Sequence, residues 1–200
     1  MNNASFSKRF IAFIIDFIFI SAILMILAYF LPKNTNFDFI NQDMNNLTEQ
    51  ALNNEITFRG YLREYSQSLS ELEKSNVLYN SVSFIILVVY YVIIPIFTNC
   101  TLGKYIMKLR IKRKDDKKLN ILNTFIRSII DVGLLTSLLT VFLVQIVDNK
   151  TYFIVLIIFT IIQFILVIIS AFMILYRRDK CGLNDFLSNS NIINKREVKK

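Results

Sequence analysis

Residues 152–176 read YFIVLIIFTIIQFILVIISAFMILY, 25 positions without a charged side chain. A helix rises about 1.5 Å per residue and the hydrocarbon core of a bilayer is about 30 Å thick, so roughly 20 apolar residues cross it. The run is far too long for a buried strand. It predicts a transmembrane helix with Gln163 near its middle. Three more runs share this character. Residues 121–147, ILNTFIRSIIDVGLLTSLLTVFLVQIV, hold two charges, Arg127 and Asp131. Residues 77–97 hold none, and residues 10–31 hold only Asp16. The predicted fold class is all-α: a polytopic membrane protein with four transmembrane helices, at about 10–31, 77–97, 121–147 and 152–176. The whole chain agrees, with 54% apolar and 19% charged residues among 200. The first run has a basic start, but its apolar stretch is longer than the usual 7–15 residues or so of a signal peptide and no A-x-A-like site follows. It reads as a retained helix.

The loops set the orientation, because a Lys/Arg excess marks the cytoplasmic side. Lys8 and Arg9 precede the first helix. The loop at 98–120 is strongly basic, interrupted by Asp115 and Asp116. The tail at 177–200 has seven basic residues against three acids. The loop at 32–76 has four basic and seven acidic residues. Both termini and the basic loop are therefore expected in the cytoplasm, with the acidic loop outward, in a cell membrane. The net charge of +8 reads as this bias plus attraction to the bilayer's anionic head groups, not as nucleic-acid binding. No helix-turn-helix, zinc or RNA-binding signature accompanies it. With two Cys, no His and no ligand spacing, neither a metal site nor a cofactor is expected. Cys100 and Cys181 both fall on the cytoplasmic side, where thiols stay reduced.

Local signals fill in the connections. Pro32 closes the first helix. In the outward loop Phe58, Tyr61, Leu62, Tyr65, Leu69 and Leu72 recur at helical spacing, predicting an amphipathic helix at about 57–74. Its apolar stripe packs on the membrane surface, on the other helices, or as a cap over a pocket. Pro95 cannot donate to the carbonyl of Tyr91, so the second helix kinks or ends there. Leu102, Tyr105, Ile106 and Leu109 suggest a short interfacial helix with Lys104 and Lys108 at its wet edge. LRIK and KKLN around Asp115 and Asp116 suggest a small hairpin. Gly103-Lys104 lacks the rest of a phosphate loop. In the tail, Leu183, Phe186 and Leu187 form an apolar cluster around Asp185.

The charges inside the helices are the candidate site. Asp at a helix centre costs about 2.5–3.5 kcal/mol to insert, so a partner or a wet cavity is expected. Asp16 lies about 10 Å along its helix from Arg9, and Arg127 about 9–10 Å into the third helix, so the two come out level. Arg127 and Asp131 are four apart and share a face. The economical arrangement is a cluster of Asp16, Arg127 and Asp131, faced by Gln163. Its formal charge is −1 with both acids ionised, which leaves room for a cation, such as sodium, or a proton. Such a cluster equally serves to lock helix packing.

These residues carry a resemblance. The sequence resembles the RDD family of small polytopic bacterial membrane proteins, named for one arginine and two aspartates. KRFIAFIIDFIFI matches its first helix, so Arg9 and Asp16 correspond. TLGKYIMKLRIKRKDDKKLN and LNTFIRSIID match its cytoplasmic loop and the helix after it. RRDKCGLNDFLSNSNII matches its tail, which implies Asp185 as the second aspartate, ahead of a strand-like end. Asn184 stands where that family usually has His. The resemblance implies transport of an undefined ligand, with sodium–proton exchange linked to some members. An Arg9–Asp185 pair at the cytoplasmic face belongs to the same reading.

Two functions follow as expectations. The first is a small transporter or cation exchanger, homo-oligomeric because four helices enclose little volume. The second is a non-transporting accessory or assembly protein of a membrane complex. No nucleophile–base pair or cofactor fingerprint points to an enzyme.

Overall fold

The structure is a computed structural model that describes residues 3–31 and 37–195. In chain order it runs α1 (Phe6–Phe30), α2 (Phe37–Leu52), α3 (Phe58–Ser75), α4 (Val77–Val88), a π-helical turn (Val89–Ile93), α5 (Ile94–Thr98), α6 (Leu102–Ile106), β1 (Leu109–Arg113), α7 (Ile121–Val132), α8 (Leu134–Ile146), α9 (Asn149–Tyr176), α10 (Leu183–Leu187) and β2 (Ser190–Asn194). The fold is all-α, with one two-stranded ribbon among the described residues. Among the described residues three helices are long and apolar enough to cross a membrane: Phe6–Phe30, Val77–Thr98 and Asn149–Tyr176. Pro32, expected to close the first helix, lies outside the described residues.

The third expected helix is corrected. Residues 121–147 do not form one rod. Ile121–Val132 and Leu134–Ile146 are bent by 85° at a break, and make a fourth span only if counted together. Gly133 sits at the break with φ 66 and ψ 36, a left-handed conformation that costs glycine little. The cause is α7 itself. Its buried face is Thr124, Arg127, Ser128 and Ile130, and a face that polar has to turn toward protein rather than lipid.

The described residues divide into two compact units. The first comprises residues 3–26, 84–134 and 162–195. Here α1 is polar on the inside: Arg9, Ala12, Asp16 and Ile20 are its buried residues, at the three- and four-residue spacing of one helix face. Phe17 and Ile18 are exposed on its outer side, as a lipid-facing helix requires. Strands β1 and β2 pair antiparallel, with Ile111 opposite Ile192 and Arg113 opposite Ser190. The expected hairpin through Asp115 and Asp116 is therefore replaced: LRIKR pairs with the tail, and Asn120 caps α7 through a reciprocal box with Asn123. The alternation of strand side chains puts Leu109 and Ile192 into a small core with Ala4 and Ala12. Ala4 N donates to Ile192 O at 2.8 Å, so the start of the chain and its tail join one ribbon. A second core packs Ile20 against Tyr90 and Tyr91.

The expected disturbance at Pro95 is present. The helix widens into the π-turn just before it, with Ile94 N donating to Val89 O. Pro95 has no N–H for the Tyr91 carbonyl, and Ser128 Oγ of α7 donates to that oxygen at 3.1 Å instead.

The second unit comprises residues 27–31, 37–83 and 135–161. Among the described residues the loop expected to face outward holds two helices rather than the single expected one, because the Asn-rich stretch also forms α2, which packs on α3. Thr57 caps α3 by accepting from Gly60 N at 3.2 Å. The apolar stripe of α3 meets the start of α9: the Tyr65 and Phe153 rings lie 6.0 Å apart, and Ser70 Oγ donates to Asn149 Oδ1 at 2.9 Å.

Candidate functional site

Asp16 is 2% exposed and sits where α1 meets the start of α6. Three neutral donors hold it. Tyr90 Oη donates to Oδ1, Thr101 Oγ1 to Oδ2 at 2.6 Å, and Gly103 N to Oδ1 at 2.7 Å. Tyr90 Oη also accepts from Leu102 N at 3.2 Å. Gly103 is required by this approach, since a Cβ there would lie 2.1 Å from Ala12 O. A carboxylate removed from water needs its acceptor sites filled, and here no cation is needed to fill them.

Asp185 is fully buried between two guanidiniums. Arg9 Nη1 donates to Oδ2, Arg127 Nη2 to Oδ1 at 2.7 Å, and Gly182 N to Oδ2 at 3.1 Å. Other donors go to protein oxygens: Arg9 Nε to Ala4 O at 3.1 Å, Arg9 Nη2 to Lys180 O at 3.0 Å, and Arg127 Nη1 to Ser190 Oγ at 2.9 Å; the buried Arg127 Nε makes no hydrogen bond and lies 3.4 Å from Asp131. Burial works to raise the Asp185 carboxyl, but Arg127 and then Arg9 hold it below the usual carboxylate range. Such an arrangement binds α1, α7 and the tail into one piece.

The expected cluster of Asp16, Arg127 and Asp131 is therefore corrected. Among the described residues no hydrogen bond or ion pair joins Asp16 to either partner; Arg127 turns to Asp185 and, at 3.4 Å from its Nε, to Asp131. The tail brings Asp185 to Arg127, and neutral donors fill the acceptor sites of Asp16. Gln163 does not face the charges either. Its Nε2 donates to Ile130 O at 2.7 Å. That carbonyl lies in the last turn of α7, where a helix end leaves carbonyls without intrahelical donors.

Asp131 is different from the other two acids. Its side chain is 24% exposed and faces a cavity of about 240 Å³. Asn184 Nδ2 donates to it, while Asn184 Oδ1 accepts from Asp185 N at 2.8 Å and Ser170 Oγ at 3.2 Å. Asn184 thus fills, with an amide, the place between the two aspartates. The same cavity is lined by Asp16, Lys104, Phe10, Phe13 and Val167. Lys104 was expected at a wet edge. It instead points into this cavity, and among the described residues its ammonium has no ion-pair partner. Burial pushes the Lys104 pKa down, with Asp131 the main group opposing that shift. With Lys104 and Arg9 included, three cations face Asp16, Asp131 and Asp185. The expected excess of one negative charge is replaced by balance.

Lys104, Tyr90, Thr101 and Gly103 are the residues that sequence reasoning missed. Uncharged donors far along the chain leave no pattern, and Gly103-Lys104 drew notice as a phosphate-loop fragment and as part of a wet helix edge. A search of the curated proteins and one of the solved structures found no match. The sequence model described as the RDD family matches residues 3–189, nearly the whole chain. That match, with Arg9 and Asp185 locked together and apolar helices long enough to span a bilayer, identifies a multi-pass membrane protein: the chain belongs to the RDD family.

Proposed function

We propose that the protein exchanges a small cation for a proton across the cell membrane, with Asp131 as the cation-binding carboxylate and Lys104 as the proton donor. The observation that carries this reading is the contrast among the three acids. Asp16 and Asp185 are sealed, whereas Asp131 faces a cavity that Lys104 shares. Coupling follows from charge balance. The Asp131 carboxylate supports the Lys104 ammonium, whose pKa burial already lowers. A cation at Asp131 cancels that support, and Lys104 releases one proton. The site keeps its net charge, and no His is needed. The cavity's small size suits a bare cation or a small polar solute rather than a large one, and an enzyme activity is not part of this reading.

Both termini lie in the cytoplasm in this scheme. Support comes from the pairing of Ala4 with Ile192, which puts the two ends of the chain on one side, and from the basic loops around them. An even number of crossings then makes α7 and α8 one broken passage. Interrupted helices at membrane depth are common where they line a cavity.

The test uses purified protein in liposomes loaded with a pH-sensitive dye. A sodium, lithium or potassium pulse is expected to drive proton movement in the wild type. Asp131→Asn and Lys104→Met should each cut it at least tenfold, with Asp16→Asn retaining more. No proton movement with any cation, or equal movement in Asp131→Asn, sinks the assignment. A second reading, an accessory protein of a membrane complex, is favoured by how completely protein donors satisfy Asp16 and Asp185. It gains if the protein is inert in liposomes and co-purifies stoichiometrically with one complex.

A further inference from the structure

A different part of the first unit carries an inference independent of exchange. Beside α5 and α6 lies a cavity of about 390 Å³ walled by Phe19, Ile94, Leu102, Tyr105 and Leu109. Among the described residues no carboxylate lines it; the charged groups at its edge are Arg110 and Lys195. Next to it is a hollow of about 160 Å³ lined by Arg110, Lys112, Arg113 and Lys117. Arg110 lines both. The loop acids neutralise two of these cations: Asp116 pairs with Lys112 at 2.5 Å and Asp115 with Arg113 at 2.6 Å. Among the described residues the Arg110 guanidinium has no hydrogen-bond or ion-pair partner. The Lys195 ammonium rests over the Tyr105 ring, 5.4 Å from its centroid.

An apolar cavity and a basic hollow that meet at an uncommitted arginine describe the complement of an anionic amphiphile. A soluble anion has no use for the aromatic wall, and nucleic acid has no apolar tail to fill it. The neighbouring elements belong at a bilayer surface: Tyr105 and Ile106 are exposed on α6, and basic groups beside such side chains sit at head-group level. We propose that Arg110 and Lys195 hold the phosphate of an anionic glycerophospholipid, whose acyl chain enters the cavity along Phe19, Ile94 and Leu102. The hollow toward Lys117 then receives the rest of the head group. Arginine suits this place because its planar fork grips phosphate in two directions.

The experiment is native mass spectrometry of the full chain in detergent, titrated with dioleoylphosphatidylglycerol, dioleoylphosphatidylcholine or glycerol 3-phosphate. The wild type is expected to retain one phosphatidylglycerol at concentrations where phosphatidylcholine leaves no adduct. Arg110→Gln and Lys195→Gln should each raise the apparent Kd about tenfold, in line with loss of a charge-assisted bond. Leu102→Trp, which fills the cavity and leaves the cations, should also weaken retention. Lys150→Gln should leave it unchanged. Lys195 lies at the end of β2, so its variant guards against misfolding of an Arg110 variant. Equal retention of phosphatidylcholine, wild-type retention by Lys195→Gln, or displacement of the lipid by glycerol 3-phosphate overturns the proposal. The last result would reveal a soluble-anion site instead.

Discussion

Asp16 and Asp185 are both buried acids, yet they are kept in opposite ways. Asp16 is surrounded by a phenol, a hydroxyl and a backbone amide. Asp185 is surrounded by two guanidiniums and an amide. Neutral donors can satisfy an acid and leave nothing stranded of their own charge. Charged donors are themselves stranded when the acid goes, so the same substitution costs more at the second place.

That difference can be broken experimentally. Asp185→Ala leaves Arg9 and Arg127 buried without their carboxylate, and is expected to destabilise the protein by about 3–5 kcal/mol. Denaturant unfolding in detergent measures it. A loss under about 1 kcal/mol means water or another acid has replaced Asp185. The pair also sets an acid limit. The folded pKa of Asp185 lies below its ordinary value of 3.8, so the unfolded chain takes up its proton first. The stabilisation is full above that value and lost as pH falls through the lower folded one. An unfolding titration in acid should therefore lose slope in Asp185→Asn.

Asp16→Asn comes next. It keeps the shape but replaces one acceptor oxygen with an NH2 that meets the donors, which costs about 1–3 kcal/mol. A loss as great as that of Asp185→Ala would mean Asp16 has an ionic partner after all. Gly133→Ala puts a Cβ on a left-handed residue and should cost about 1–2 kcal/mol, read as a lower thermal midpoint. No cost would mean that the break between α7 and α8 straightens. Lys104→Met is the smallest effect and has the opposite sign. It removes an ammonium whose pKa burial depresses, so the thermal midpoint should hold or rise. A clear fall would show that Lys104 is a structural pair of Asp131 rather than a poised donor.

Much of the fold was legible because the decisive signals are long or local. The four apolar runs need no partner to be read. Arg127 and Asp131 met as their four-residue spacing requires, and the periodic Phe58, Tyr61 and Tyr65 marked α3. The site was less legible because its partners are remote or uncharged. Arg9 and Asp185 came from resemblance, since 176 residues separate them. Tyr90, Thr101 and Gly103 look like ordinary helix and turn residues until α1 is laid against them. Gly133 was visible as a glycine within an apolar run, but nothing local separates a tolerated glycine from a left-handed stop.

The ribbon that joins Ala4 to Ile192 has a consequence for synthesis. Arg9 and Arg127 leave the ribosome before Asp185 does, and β1 before its partner β2. Until the tail arrives, Arg9 lacks its carboxylate, Arg127 has only Asp131, and a strand edge stays open. A chain halted ahead of residue 185 keeps both defects. The tail is thus the last piece that the first unit needs to close its ribbon and fill its buried ion pairs.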